Sequence, residues 1–238
     1  MLRKWPGGGS LSAILSFLRL HYPRFGIGGA LTVTVCILIT AFSYQGRGGE
    51  SYSLFNHFIS ELGEAGVSRL GWLFNAGLVA GGLLFLPFSL GLGLALPGWL
   101  SKLGGIAGVV AAISLAGVGI FPMNNLEPHI TAAMTYFRSG LFTVVLFGLA
   151  IQLQPKGQIV LDKRVNLASL LAVVCYGSFL FYMQLPTKQA SSNLDLSWMV
   201  SRPSIWLLAI LEWSIFFSTI LWFTVIALGR KRSAVIPQ

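Results

Sequence analysis

The sequence predicts an all-α integral membrane protein built as a bundle of six transmembrane helices. Hydrophobic residues make up 55% of the chain and charged residues only 10%, whereas soluble domains carry about 25% charged residues. The mean hydropathy is +0.76. Six apolar stretches reach the length of about 20 residues that a membrane-spanning helix needs. They cover roughly 25–44, 72–97, 103–123, 130–153, 165–186 and 204–229.

The six spans and their connections occupy residues 25–229, which predicts one transmembrane domain. Residues 1–24 carry apolar side chains at helical spacing, interrupted by basic residues, and no small-residue cleavage site follows them. This pattern predicts a cytoplasmic amphipathic helix lying on the inner leaflet rather than a signal peptide. Residues 230–238 form a short basic cytoplasmic tail.

The basic residues predict the orientation in the membrane. If each apolar run crosses once, eleven Lys and Arg lie on the side of the two termini and four lie on the other side. The positive-inside rule then places both termini in the cytoplasm, and we expect a multi-pass protein of the cell (inner or plasma) membrane. Because the net charge of +9 is concentrated in the inner loops, it predicts contact with anionic membrane lipids and not with nucleic acid.

The longest outer loop has an amphipathic pattern. Over about 54–65, apolar and polar residues recur at helical spacing on opposite sides. The stretch is too short to span, so it predicts a helix at the outer interface whose polar face looks outward or over the mouth of the bundle. The apolar residues are Phe55, Phe58, Ile59 and Leu62, and the polar residues are His57, Ser60, Glu61 and Glu64.

Arg138 is a charged residue inside the fourth span. A charge at mid-helix costs at least about 2.5–3.5 kcal/mol, so we expect it to face the bundle and to be paired. Glu212 is the acidic residue inside a span, and both residues lie about eight positions from the outer ends of their spans, roughly 12 Å deep. We therefore predict an Arg138–Glu212 ion pair. It either fixes helix packing or lines a polar cavity with Arg138 available to an anionic headgroup, and Thr131 and Thr135 on the same face favour the cavity.

Further polar residues are expected at the outer ends of the spans. His129 follows a proline at the start of the fourth span, where we expect it to hydrogen-bond the end of a neighbouring loop or to belong to a site. Asn75, Asn124 and Asn125 should lie at the same level, close to His57, Ser60 and Glu61.

Three chemistries remain open for this outer cluster. His57 and Glu61, four residues apart, are able to form a zinc site with His129, although no zinc signature is present. Ser60 is a possible nucleophile with a histidine as its base, although no nucleophile-elbow motif is present. A mouth that hydrogen-bonds and orients a lipid headgroup or a protein partner needs the fewest assumptions.

Two stretches, 59–86 and 117–137, carry a recognisable pattern of S-x-L-G, F-N-x-G, G-x-F-P and a following His. Over roughly 25–229 the sequence resembles a bacterial and archaeal family of six-span membrane proteins catalogued as domain of unknown function 998. It is more distantly similar to the eukaryotic Frag/DRAM/Sfk group, which is linked to lipid and membrane-trafficking biology. The resemblance implies the six-span fold and no particular activity. The family usually has an acid after G-x-F-P, where this chain has Asn124 and Asn125. The matching residues are Ser60, Leu62, Gly63, Phe74, Asn75, Gly77, Gly119, Phe121, Pro122 and His129.

Together these observations predict a polytopic membrane protein that binds or handles a lipid or amphiphile through an outward-facing polar pocket. The alternatives are a membrane-embedded hydrolase, metal-assisted or not, and an accessory subunit of a larger membrane complex. We expect no cofactor, and we expect membrane lipids, or other membrane subunits, as partners. The candidate ligand-binding residues are Arg138, Glu212, His57, Glu61, Asn75, His129 and Ser60.

Overall fold

The computed structural model describes residues 8–185 and 202–230. Within these ranges it contains six α-helices that are long and apolar enough to cross a membrane, which confirms the predicted all-α bundle. The predicted basic tail lies, apart from its first residue, outside the described residues. The helices are α1 (Gly8–Phe42), α2 (Gly71–Ala95), α3 (Trp99–Ile120), α4 (Leu126–Gln152), α5 (Asn166–Tyr182) and α6 (Leu207–Leu228).

Aromatic side chains fill the interior of the bundle. Each helix packs against the next one in the chain, and α6 returns to pack against α1. Phe85 of α2 stacks on Phe223 of α6 with ring centroids 4.0 Å apart. Trp222 lies edge-on to Phe88 and also packs against Phe147 of α4. This cluster joins helices α2, α4 and α6, which are not neighbours in the sequence.

Glycine residues allow the first four helices to approach closely. Gly77 and Gly81 of α2 lie directly against side chains of α1, and Gly104 and Gly108 of α3 lie against side chains of α4 and α2. Small residues four positions apart let helix backbones meet in a membrane. These glycines therefore lie where α2 meets α1 and where α3 meets α4 and α2.

Helix α1 is continuous and passes through Pro23. The sequence predicts a boundary near residue 24 between an interfacial helix and the first span, and the structure has no such break. Tyr22 is completely buried, and the Leu18 carbonyl lies against Gly91 of α2. Leu18 and Tyr22 are therefore packed against α2 at Gly91. The spacing of apolar residues in α1 does not by itself predict this contact.

The segment between α1 and α2, residues 43–70, covers one end of the bundle and is called the plug below. The predicted helix over 54–65 is wrong, because only a five-residue 3-10 turn, Ile59–Gly63, forms there. This turn contacts α1, α2 and α6. The polar residues predicted to face outward are buried, with His57, Glu61 and Glu64 only 2%, 1% and 1% exposed. These side chains bond to the backbone of the plug or to arginines.

The glycine contacts give a direct test of the packing. A Cβ added to Gly82 would lie 2.6 Å from the backbone oxygen of Ala112 in α3, whereas a Cβ added to Gly177 in α5 would meet no atom within 4 Å. We expect Gly82→Ala to lower the thermal midpoint in mild detergent, because α2 and α3 must separate. Gly177→Ala is the matched control and should leave the midpoint unchanged or raise it slightly. Equal midpoints for the two variants would contradict the packing described here.

Candidate functional site

Side chains of α6 and α2 hold the backbone of the plug. The Glu212 carboxylate accepts a hydrogen bond from the amide of Ile59, with 2.8 Å between Oε2 and N. Asn75 donates from Nδ2 to the carbonyl of Gly63 at 2.9 Å. Buried backbone groups must find partners, so these two side chains replace the bonds that a longer helix would have supplied.

Two further contacts hold the plug on either side of its 3-10 turn, at Phe55 and Ala65. Asn124, in the loop between α3 and α4, accepts from the amide of Ala65 at 2.7 Å and donates to its carbonyl at 3.0 Å. The amide of Trp206, just before α6, donates to the carbonyl of Phe55 at 2.7 Å. The asparagine that stands where an acid occurs in the family pattern thus has a structural role, since only an amide both donates and accepts in this way.

Arginines neutralise two buried carboxylates of the plug. Glu61 pairs with Arg202, with 2.9 Å between Oε2 and Nη1, and Glu64 pairs with Arg47. Burial raises the pKa of Glu61 above its usual value, although Arg202 and the amide of Phe58 act in the opposite direction. Glu61 therefore serves to anchor the plug, and its carboxylate is not available to a ligand.

An interior cavity of about 80 Å³ lies directly beneath the plug. Its walls are mostly apolar, and Ile59 and Ser60 of the plug form its roof. A cavity needs about 10–15 Å³ to hold one water, so this one has room for several waters or for a small chemical group. The polar residues that line it are Ser60, His129, Tyr136, Glu212 and Thr219.

Glu212 has an unusual environment for a carboxyl group. It lies inside α6, borders the apolar cavity and accepts one hydrogen bond, from Ile59. Within the described part of the chain no Lys, Arg or His nitrogen lies within 4 Å of its carboxylate. An isolated carboxylate in a low-dielectric interior is costly, so the site favours a proton, a cation or a hydrogen-bond donor beside Glu212.

His129 and Ser60 share this cavity but do not bond to each other. His129 Nδ1 lies 2.7 Å from the carbonyl of Phe121, at the end of α3. A carbonyl only accepts, so Nδ1 carries the hydrogen and Nε2 is left as a possible base. The hydroxyl of Ser60 donates to the sulfur of Met123 at 3.3 Å. The expectation that His129 hydrogen-bonds the end of a neighbouring loop is confirmed.

A chain of hydroxyl groups leads away from the cavity toward the middle of the bundle. Thr219 donates to the hydroxyl of Tyr176 at 3.0 Å, which donates to the hydroxyl of Tyr136 at 3.3 Å. A second cavity of about 30 Å³ lies beside them, lined also by Ser89 and Thr143. The sequence does not predict that these residues form a chain, because single hydroxyl groups in apolar helices give no periodic signal.

The predicted Arg138–Glu212 ion pair is wrong. Arg138 is exposed on the outer surface of the bundle, whereas Glu212 borders the interior cavity. Among the described residues, no Arg138 nitrogen lies within 4 Å of the Glu212 carboxylate. Thr131 and Thr135 bond to the carbonyls four residues before them.

A separate cleft of about 420 Å³ opens on the outer face of the plug. His57 lies in its wall, with Nδ1 at 3.3 Å from the donating amide of Ser53 and at 2.9 Å from Asn56 Oδ1. Its Nε2 is buried without a hydrogen bond in the described structure and lies 3.9 Å from a carboxylate oxygen of Glu50. An unsatisfied buried nitrogen costs about 1–3 kcal/mol. The residues around the cleft are Arg47, Gly48, Glu50, Ser51, Ser53, Asn56, His57 and Arg202.

The structure does not assemble the predicted zinc ligands. His57 lines the outer cleft, His129 lines the interior cavity, and Glu61 is bonded to Arg202. In the two described stretches of the chain, no group of three or more His, Cys, Asp and Glu is placed to hold a metal ion. The zinc alternative fails because the plug is folded as a turn, which separates side chains that a helix would have aligned.

Three of the predicted site residues, Ser60, His129 and Glu212, meet at one cavity. Asn75, another of them, stabilises its roof. Arg202 is a residue of the candidate site that the sequence did not single out, although a basic residue at the same end of the bundle as the acidic plug was a detectable signal. In this protein, ion pairs are predicted better by opposite charges in neighbouring loops than by the positions of charged residues along separate spans.

The Glu61–Arg202 pair gives a stability prediction. Both side chains are largely buried, at 1% and 13% exposed, so Glu61→Gln removes one charge of a buried ion pair. We expect a loss of about 3–5 kcal/mol in the free energy of unfolding, measured by chemical denaturation in mild detergent. Glu127→Gln, which removes an exposed acid at the start of α4, should change stability by less than about 0.5 kcal/mol. Similar losses for the two variants would contradict a buried pair.

His57 predicts how stability depends on pH. Burial, followed by the charge of Arg202, lowers the pKa of His57 from 6.5 to about 4. Between pH 6.5 and 4, His57 is protonated in the unfolded chain but stays neutral in the folded protein. The free energy of unfolding therefore falls as the pH is lowered from 6.5 toward 4, and this group does not affect it above pH 6.5.

The measurement compares denaturation of the wild type and His57→Gln across this range. We expect the variant to lose much of the decline in stability at acid pH, while the control His21→Gln, on α1, keeps it. The comparison with His57→Gln is needed because Glu50 and Glu61 also titrate near His57, the pKa of Glu50 being lowered and that of Glu61 raised. An unchanged pH profile in His57→Gln would refute a buried neutral histidine.

Comparison with known proteins gives the family. The family model described as "Protein of unknown function (DUF998)" matches residues 26–229. No curated protein matches the chain, and no solved structure matches it, so the more distant similarity to the Frag/DRAM/Sfk group stays a prediction. With the match covering all but the first 25 and last nine residues, the chain belongs to the DUF998 family of membrane proteins.

Proposed function

We propose that this membrane protein binds the head of an amphiphile in the cavity beneath the plug, with Glu212 as its polar anchor. The observation that carries this proposal is a carboxyl group at an apolar interior cavity that has no basic partner in the described structure. Ionisable residues inside a membrane domain are costly and mark sites of function more often than sites of packing.

The chemistry of the cavity defines the head group. Glu212 accepts hydrogen bonds, and Tyr136, Thr219 and Ser60 border the same space. Among the residues that the structure describes, no arginine or lysine lines the cavity. An ammonium or hydroxyl head therefore fits, and a phosphate or carboxylate head does not. The sequence predicts that Arg138 anchors an anionic head group, but Arg138 lies on the side of α4 that faces away from the cavity.

The volume of the cavity limits what enters it. About 80 Å³ admits a head group and the adjoining carbon atoms, so we place the rest of an alkyl chain between helices or in lipid. The apolar walls, formed by residues such as Phe74, Leu78 and Phe216, suit those first carbons. On the charge bias of the loops, this end of the bundle faces outward and both termini are cytoplasmic, in a cell membrane.

Photo-crosslinking tests the proposal. The full chain in vesicles is exposed to a long-chain amine, a long-chain alcohol and a fatty acid, each carrying a diazirine next to the head group. We expect the amine and the alcohol to label cavity residues more strongly than the fatty acid. Glu212→Gln keeps an oxygen acceptor for Ile59 but removes the charge, and should reduce amine labelling about tenfold.

Two controls make this test specific. Glu127→Gln removes an exposed acid and Arg138→Ala removes the exposed arginine of α4, and neither should change labelling of the cavity. Equal labelling by the fatty acid and the amine would refute the proposal, as would unchanged amine labelling in Glu212→Gln.

A hydrolase is the second candidate, because Ser60, His129 and Glu212 line one cavity. It ranks second, since Ser60 donates to Met123 rather than to a histidine. A fluorophosphonate probe separates the two functions. Labelling that disappears in Ser60→Ala and in His129→Gln would support the hydrolase, and absence of labelling would leave the binding function.

A further inference from the structure

Arg138 lies outside the cavity beneath the plug. It is exposed on the outer surface of α4, and the structure gives it no hydrogen bond, ion pair or aromatic contact with any described residue. It lies twelve residues after Leu126 and fourteen before Gln152, the two ends of the helix. Arginine near a helix end extends its side chain to the headgroups, but Arg138 is more than three turns from either end.

The residues around Arg138 form a regular surface, called the α4 stripe below. They are exposed or half-buried and follow the alternating spacing of four and three residues that is typical of helix–helix contacts. Phe142 and Leu149 are 62% and 46% exposed. The stripe consists of Thr131, Thr135, Arg138, Phe142, Val145 and Leu149.

We propose that the α4 stripe docks a transmembrane helix of another protein that carries an aspartate or glutamate at mid-membrane depth, opposite Arg138. A cation in the hydrocarbon layer requires a counter-charge, and a carboxylate matches the planar guanidinium with two parallel hydrogen bonds. The flanking threonines and apolar residues supply the close packing that holds membrane helices together.

A second copy of this chain does not supply that carboxylate. Among the six helices the acidic residues are Glu127 and Glu212. Glu212 faces the interior cavity, and Glu127 lies eleven residues from Arg138, about 16 Å along the helix. In a parallel dimer Glu127 does not reach the depth of Arg138 and Glu212 faces away from the helix contact, so charge complementarity favours a different protein.

The test uses a defined probe, a leucine-rich transmembrane peptide with one aspartate at its centre. Energy transfer is measured between the labelled full chain and the labelled peptide in phosphatidylcholine vesicles. We expect the aspartate peptide to associate about tenfold more tightly than the same peptide with a central leucine. Arg138→Leu should abolish this difference, whereas Arg69→Leu, which removes an exposed arginine at the plug end, should preserve it.

Charge reversal keeps the test decisive. Arg138→Glu should lose the aspartate peptide and bind a peptide with a central lysine instead. Equal association of the aspartate and leucine peptides with the wild type would overturn the proposal. It would also be overturned if added phosphatidylglycerol displaced the aspartate peptide, because the counter-charge would then be a lipid phosphate.

Discussion

The hydrogen bond from the amide of Ile59 to the carboxylate of Glu212 links the plug to the six-helix bundle. It fixes the plug to α6, and it places the carboxyl group at the roof of the interior cavity. The plug cannot form a long helix there, so its backbone groups need partners from outside the segment. Asn75 and Asn124 supply further partners in the same way, and the plug is thereby held without regular secondary structure.

The buried carboxyl groups at this end of the bundle differ in whether an arginine pairs with them. Glu61 and Glu64 each have an arginine, so they stabilise the plug. Glu212 has a backbone amide and a cavity but no cation in the described structure. Glu61 and Glu64 are thus compensated by arginines, whereas Glu212 is not, and an unpaired carboxylate in a low-dielectric space gains most from a donor or a cation. Arg138 is the opposite case, a cation on the outside of the bundle with no partner among the described residues.

The family motifs meet at one place in the structure. Asn75 of F-N-x-G bonds to Gly63 of S-x-L-G, and Gly119 of G-x-F-P lies against the backbone of Asn75. His129 bonds to the carbonyl of Phe121. Ser60, Phe74 and His129, which belong to three of these motifs and are spread over 70 residues of sequence, therefore line a single cavity. The glycines of the motifs are needed for close contact, and their polar residues replace missing backbone partners.

The sequence by itself determined the membrane class and the six helices, because length and hydropathy are local properties of the chain. It also selected Ser60, His129 and Glu212 as candidates, and these three residues line one cavity. It failed for the plug, where apolar spacing predicted a helix, and for Arg138, where depth alone predicted an ion pair. Only the tertiary structure decided these points, because the direction of a side chain around its helix and the partners of a buried backbone depend on which helices are neighbours. The composition of a span gives its ability to cross a membrane, but the packing of all six gives each polar group its environment.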